Sequence, residues 1–387
     1  MPDTSVKYFH SAMPGAPTLN GTAGSLISVL DACLINGFGL KTIDSITVVA
    51  GVATANISTG HSLEISAVAL IAGASVAALN GEQKVAATST NTVKWSTSAA
   101  DQTISNAGMT IKVAPANWLK AFTGANKAAY KSADPASTQQ VMQVIDTAPQ
   151  YAKVLGYEAM TDVDTGTGMF PNPAQQPGGF FWSKSYSSDV TARNWMLIAD
   201  GRTLYFARGH TSAVLAYELS MFGDLVTTKS GDPFSAVITG SISDVSSGFA
   251  TTYNQQFHSS SGVGNLYCSR GYTGYGAPAQ MRRSYPTTGG SVDGYSGNNP
   301  GMPYPNAPDG GLYVVPWHCS ESTGNLRGTF PGYWASPQNI PAGAFATRDS
   351  VVVAQGLPGK TLKALVITNT NYGIQSTSFF DITGPWR

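Results

Sequence analysis

Charge is what this sequence lacks. Lys and Arg number 22 and Asp and Glu 22 in 387 residues, so charged residues make up 11% and the net charge is zero. Soluble domains usually carry about 25%. A protein that binds nucleic acid by releasing counterions needs a basic excess, and none exists here. Disorder requires low hydrophobicity and high net charge, whereas this chain is 42% hydrophobic. Long apolar runs are also missing. The longest, residues 67–79, is interrupted by Gly73 and Ser75 and falls short of the ~20 residues of a membrane helix. The opening Met-Pro-Asp has no basic segment leading into an apolar core, so no secretory leader is expected. Three cysteines, Cys33, Cys268 and Cys319, do not make a disulfide framework and read as reduced, half-buried thiols. With so little charge, solubility must come from Ser, Thr, Asn, Gln and Gly. A net charge near zero also favours association, which points to a protein that lives inside an assembly.

What is present divides the chain into three. Residues 1–43 read as an arm and a short helix. The arm carries Tyr8, Phe9 and His10 without periodicity and is expected to dock onto a neighbour or onto its own domain. Leu26, Val29, Leu30, Cys33 and Leu34 form one apolar stripe, predicting a helix over 25–35 that stops at Asn36-Gly37. Residues 44–115 change to strand grammar. A hairpin over 45–49 and 52–57 turns at Ala50-Gly51, and strands at 67–72, 83–87, 92–96 and 110–113 complete a small Ig-like β-sandwich.

Residues 116–387 read as a larger β-rich, sandwich-like domain, entered by a helical connector at 115–122 on the Trp118 and Phe122 spacing. Its clearest hairpin joins 195–199 to 203–207 at Asp200-Gly201, with a type I′ turn expected. Further strands are expected at 141–145, 213–219, 235–238, 312–315, 351–354 and 362–367. The stretch 259–311 is dense in Gly, Pro, Ser, Asn and Tyr and reads as a long structureless insert. Structureless loops of that length are usually functional. Its tyrosines, among them Tyr267, Tyr272, Tyr275, Tyr285, Tyr295 and Tyr304, suit a contact surface, because Tyr is amphipathic and loses little rotamer entropy.

Motifs for chemistry are weak. Gly356-Leu357-Pro358-Gly359-Lys360-Thr361 ends like a phosphate-binding loop, but Ala354 stands where the first glycine is needed, so a turn between strands is expected. The five histidines show no helical ligand pair. Asp162 and Asp164 sit in a Gly/Thr turn with the flavour of a Ca²⁺ loop, yet lack the remaining ligands and read better as an Asx turn. Glu158, Asp162, Asp164, Asp224 and Glu321 are available as carboxylates for a wall-degrading hydrolase, Glu158 and Asp224 foremost, but nothing marks a pair. Trp182, Trp195, Trp317 and Trp334 read as core residues or interface anchors rather than sugar platforms. Arg327 reads as a local structural clamp. No catalytic residue, cofactor or metal is expected, and enzymatic activity is not.

Several stretches resemble structural proteins of tailed-bacteriophage virions, of the tail-associated kind. They include Tyr8-Phe9-His10-Ser11-Ala12-Met13-Pro14-Gly15-Ala16-Pro17 and Leu30-Asp31-Ala32-Cys33-Leu34-Ile35-Asn36-Gly37-Phe38-Gly39. Gly156-Tyr157-Glu158-Ala159-Met160 and Leu326-Arg327-Gly328-Thr329-Phe330-Pro331-Gly332-Tyr333-Trp334 follow, with Phe380-Asp381-Ile382-Thr383-Gly384-Pro385-Trp386-Arg387 near the last positions. Residues 46–112 resemble the small Ig-like β module of phage tail and fibre proteins.

The resemblance implies a virion protein of the tail or neck, made in the host cytoplasm, that assembles with copies of itself and with other virion proteins. The expected interface residues are Tyr8, Phe9, Tyr267, Tyr272, Tyr275 and Tyr295, with residues 1–43 as the docking element. Head decoration is an alternative, and so is a receptor-binding or tail-fibre role with a host-surface glycan or protein as partner.

Overall fold

The computed structural model describes residues 2–209, 218–242, 265–284, 302–352, 354–369 and 374–387. The fold is mainly β with one short helix. Among the described residues no helix is long and apolar enough to cross a membrane.

The arm is an edge strand. Lys7–His10 pairs antiparallel with Trp195–Ala199, Tyr8 opposite Ile198 and Phe9 opposite Leu197. Val6, Tyr8, Phe9, Met13 and Leu19 are all buried. Tyr8 and Phe9 are therefore core residues rather than interface residues, and the arm is not a free docking element. An extended segment carrying an aromatic pair buries both rings and satisfies its backbone on an open sheet edge of its own chain. Lys7 adds a tie to the sandwich through Glu82 at 2.7 Å.

The predicted apolar stripe forms the helix Ser25–Leu30, continued by a π-turn over Asp31–Asn36. Leu26, Val29, Leu30, Cys33 and Leu34 are fully buried on one face. Gly37 ends it with φ 68°.

Strands between Phe38 and Val113 build two sheets. Phe38–Thr42, Thr110–Val113, Val68–Ala72 and Gly81–Lys84 form one in that order. Ala87–Thr88, Thr92–Ser96, Val52–Asn56, Ser45–Val49 and Gln102–Ile104 form the other. Alternate residues such as Ile46, Val48, Ala53, Ala55, Val93 and Trp95 point inward. Ala50 and Gly51 both take positive φ (49° and 75°), the backbone that a two-residue hairpin turn requires.

Trp118–Gly124 is a strand and not the expected helical connector. It pairs with Lys127–Ser132 in a meander continued by Val141–Ile145, Tyr151–Tyr157 and Phe180–Ser183. The four-residue spacing of Trp118 and Phe122 was misleading, because a register shift between Lys120 and Phe122 interrupts the strand's alternation.

The rest is one large curled sheet running from the Lys7–His10 edge to Ser350–Val351. Trp195–Ala199 and Thr203–Arg208 form the predicted hairpin. Its turn is not type I′, since Gly201 lies outside the left-handed region. Asp200 Oδ1 closes it instead, accepting the N–H groups of Arg202 (2.8 Å) and Thr203 (2.7 Å).

The Gly/Tyr-rich stretch is not structureless. Leu266–Cys268 and Ala279–Ser284 are interior strands between Ala236–Thr239 and Val315–Glu321. Both pair with sheet neighbours that local composition does not reveal. The sheet bends back where Val226–Thr227 pairs with Gly328 and Thr329. A Cβ on Gly328 would collide with the Val226 carbonyl, so the close approach needs glycine there. Tyr205, Tyr333, Phe380 and Trp386 pack ring on ring inside the curl, and Tyr205 Oη donates to the Pro331 carbonyl at 2.9 Å. Trp182, Trp195 and Trp317 are core residues. Of the other expected strands, that at 213–219 lies mostly outside the described residues.

Candidate functional site

The most elaborate polar construction lies where the sheet curls. Arg327 is 2% exposed. Its guanidinium donates to Asp232 Oδ2 at 2.6 Å and to Glu321 Oε1 at 2.7 Å. It also donates to the Arg270 carbonyl at 3.1 Å. Burial opposes the Arg327 charge, but Cys268, Glu321 and Asp232 outweigh it and raise its pKa further. Arg327 is thus the clamp that the sequence suggested. Glu321 Oε1 in turn accepts the backbone N–H of Tyr272 at 2.6 Å.

The segment clamped from below is the turn 269–276. Arg270 forks onto Glu158 with bonds of 2.5 and 2.6 Å, donates to the Gly274 carbonyl at 3.1 Å, and lies 4.7 Å from the centre of the Phe234 ring. Lys229 Nζ donates to the Tyr272 carbonyl at 3.0 Å. A backbone tied by so many charge-assisted bonds is held in one conformation. It presents Tyr272 at 49% and Tyr275 at 82% exposure.

The strip that meets this turn also lines a cleft of about 570 Å³. Its lining includes Thr227, Thr228, Ser230, Asp232, Thr138, Arg202, Asp224 and Arg387. Asp224 accepts both the N–H (2.9 Å) and the hydroxyl (2.7 Å) of Thr138. Burial pushes its carboxyl pKa upward, against those two bonds. Arg202 pairs with Asp134 and Arg387 with Asp200, each at 2.6 Å.

The structure does not bring the other expected site residues together. Tyr267 is a core residue, its ring 5.9 Å from that of Phe180. Among the described residues of the expected interface set, only Tyr272 and Tyr275 are on the surface. Tyr295, like Tyr285, His210 and His258, lies outside the described residues.

Asp162 Oδ1 accepts the N–H of Asp164 at 2.7 Å, an Asx turn, and Asp164 pairs with Lys127 at 2.6 Å. Among the described residues no group of three His, Cys, Asp or Glu could hold a metal. Glu158 and Asp224 both serve as anchors, Glu158 for Arg270 and Asp224 for Thr138. Residues 356–361 turn between Ala354–Gln355 and Leu362–Asn369. Burial pushes the thiols of Cys33 and Cys319 up, and that of Cys268 up to about 12. Sequence reasoning missed Asp232, Arg270 and Lys229, and offered Glu321 only as one of several spare carboxylates. Their partners lie 6 to 112 positions away, and a single acidic or basic residue carries no mark of its partner.

No protein-family description and no curated protein matches this chain. Among solved structures, the phage phi92 endosialidase aligns over 91% of this chain at 11% identity and a TM-score of 0.15. The alignment covers 51% of that protein, so this chain spans about half its length. A TM-score that low does not describe a shared fold.

Proposed function

We propose that this chain is a structural component of a tailed-bacteriophage particle, associated with the tail or neck, and that it works by contact rather than by catalysis. Its partners are copies of itself and neighbouring virion proteins. The observation that carries this reading is the clamped turn 269–276, which holds Tyr272 and Tyr275 rigid at the surface of a protein with few charges. Aromatic anchors on a pre-ordered backbone bind with little entropy loss, and a low-charge surface avoids burying unpaired charge. The sequence stretches that resemble tail-associated virion proteins supply the context.

A receptor-binding role is the second reading, favoured by the exposure of Tyr275. The test is to purify particles, quantify the protein by mass spectrometry, and locate it by gold labelling. A few copies at the tail or neck support the proposal. High copy number over the head would favour decoration. Absence from washed particles would overturn the virion reading altogether.

A further inference from the structure

The large sheet begins at Lys7–His10 and ends at Ser350–Val351. Among the described residues no backbone ladder joins these two end strands. Side chains span the seam instead. Arg348, just before the last strand, donates from Nη1 to His10 Nδ1 at 2.9 Å. Lys363 Nζ lies 4.9 Å from the centre of the Tyr8 ring. The small sandwich meets the same place, with Glu64 Oε1 at 2.9 Å from His10 Nε2. His10 is 3% exposed, so its ring is enclosed where three parts of the chain meet.

These bonds fix the state of the imidazole. His10 Nδ1 also accepts the backbone N–H of Ala12 at 3.2 Å. A guanidinium and a backbone amide can only donate, so Nδ1 carries a lone pair. The ring proton is therefore on Nε2, donated to Glu64, and the ring is neutral. Charging the ring puts a second proton on Nδ1, where two donors already point. Arg348 must then leave, because N–H faces N–H and cation faces cation. The charged groups around the ring are Glu64 on the sandwich and Arg348 and Lys363 on the far end of the sheet, with Asp349 beside Lys363. Lys7, on the strand of His10, is paired with Glu82. The His10 hydrogen bond, above all, holds the Glu64 carboxyl below its ordinary range, so Glu64 stays ionised in mild acid.

The segment that Arg348 belongs to is poised to move. Arg348 has φ 80°, a left-handed backbone that a side chain disfavours. Its N–H donates to the Ala364 carbonyl at 2.8 Å, and its carbonyl accepts Lys363 Nζ at 3.1 Å. Such a conformation persists only while the surrounding contacts hold it.

We infer that His10 is a pH-sensitive latch on the seam between the two ends of the sheet. The neutral ring holds Arg348 against the arm. The protonated ring expels it and frees residues 346–349. This goes beyond a role in the particle and does not depend on it, because particle incorporation and seam opening are read by separate measurements.

The test is hydrogen exchange of the full chain, read by mass spectrometry at pH 7.5 and pH 5 and scaled for the intrinsic exchange rate. Those values bracket the ordinary imidazole pKa of about 6.5. Peptides that contain the amides of Arg348 and Ala364 should lose about tenfold or more of their protection at pH 5. His10→Asn places an amide oxygen near the position of Nδ1, which accepts the same donors and takes no charge. Its pH step should vanish. Arg348→Met removes the donor from an exposed position and should give the open pattern at both pH values. That variant decides the matter even where His10→Asn does not fold. No step in the wild type, an equal step in His10→Asn, or full protection of Arg348→Met at pH 7.5 would each overturn the proposal.

Discussion

Lys184 and Asp146 form an ion pair with both side chains fully buried, and it joins three parts of the chain. Asp146 Oδ1 takes the Lys184 ammonium, while its Oδ2 accepts the N–H groups of Leu26 (2.8 Å) and Ile27 (3.1 Å) at the start of the helix. Lys184 also donates to the carbonyls of Thr22 (2.7 Å) and Ala148 (2.9 Å). Burial pushes the Asp146 carboxyl up and the Lys184 ammonium down, each against its charge. Replacing one partner leaves the other buried alone. Asp146→Ala or Lys184→Met is expected to cost about 3–5 kcal/mol, measured by urea unfolding. The double variant should cost less than the two single losses added together.

The arm is part of the core, so shortening it should unfold the protein. Phe9→Ala is expected to lower stability by about 3–5 kcal/mol. Removing residues 2–20 should abolish the cooperative melting transition seen by circular dichroism. A soluble, fully folded truncation would show that the Lys7–His10 strand is dispensable.

Arg327 can be tested through the turn that it holds. Arg327→Met leaves Asp232 and Glu321 buried without a cation, a loss of about 3–5 kcal/mol. Trypsin should also cut faster after Arg270, because the turn loses its anchor. Arg327→Lys keeps the charge but not the fork, and should fall between the two. Unchanged cleavage would mean that the turn is held by Arg270 and Glu158 alone.

Lys84 sets a pH dependence. Burial lowers its pKa from 10.5 to about 8, although its ammonium donates to the Ile382 carbonyl at 2.6 Å. Between those two values the unfolded chain binds the extra proton, so stability rises with pH across that window. Denaturant unfolding at pH 7.5 to 10.5 should show the wild type gaining up to about 3 kcal/mol relative to Lys84→Met. A flat difference would place Lys84 in ordinary solvent.

All three cysteines are buried, and burial raises their thiol pKa values. At pH 8 the native protein should react with no equivalents of a thiol reagent within minutes, and with three once denatured. Fast reaction of one thiol in the native state would locate an opening in the sheet.

Elements with a local signature were legible in the sequence. The helix stripe from Leu26 to Leu34, the hairpin across Ala50-Gly51 and the hairpin at Asp200 rest on spacing and turn residues within a dozen positions. Trp118–Gly124 and Ala279–Ser284 were misread because their strand character comes from partners such as Lys127–Ser132 and Val315–Glu321, while their own composition points elsewhere. Three members of the expected interface set, Tyr8, Phe9 and Tyr267, were misread in the same way. Tyr8, Phe9, Tyr267 and Tyr275 are alike as sequence, and only packing separates the buried three from the exposed one.

The few charges of this chain sit mostly in buried or half-buried pairs. By itself the sequence determined a mainly β chain, one short amphipathic helix and a surface that must rely on neutral polar groups. Those properties follow from composition and short-range periodicity. Only the tertiary structure decided how the few charges are used. Asp146 with Lys184, Asp232 and Glu321 with Arg327, and Glu158 with Arg270 hold distant segments together. Pairing energy depends on distance in space and on burial, and neither quantity is written in the order of residues.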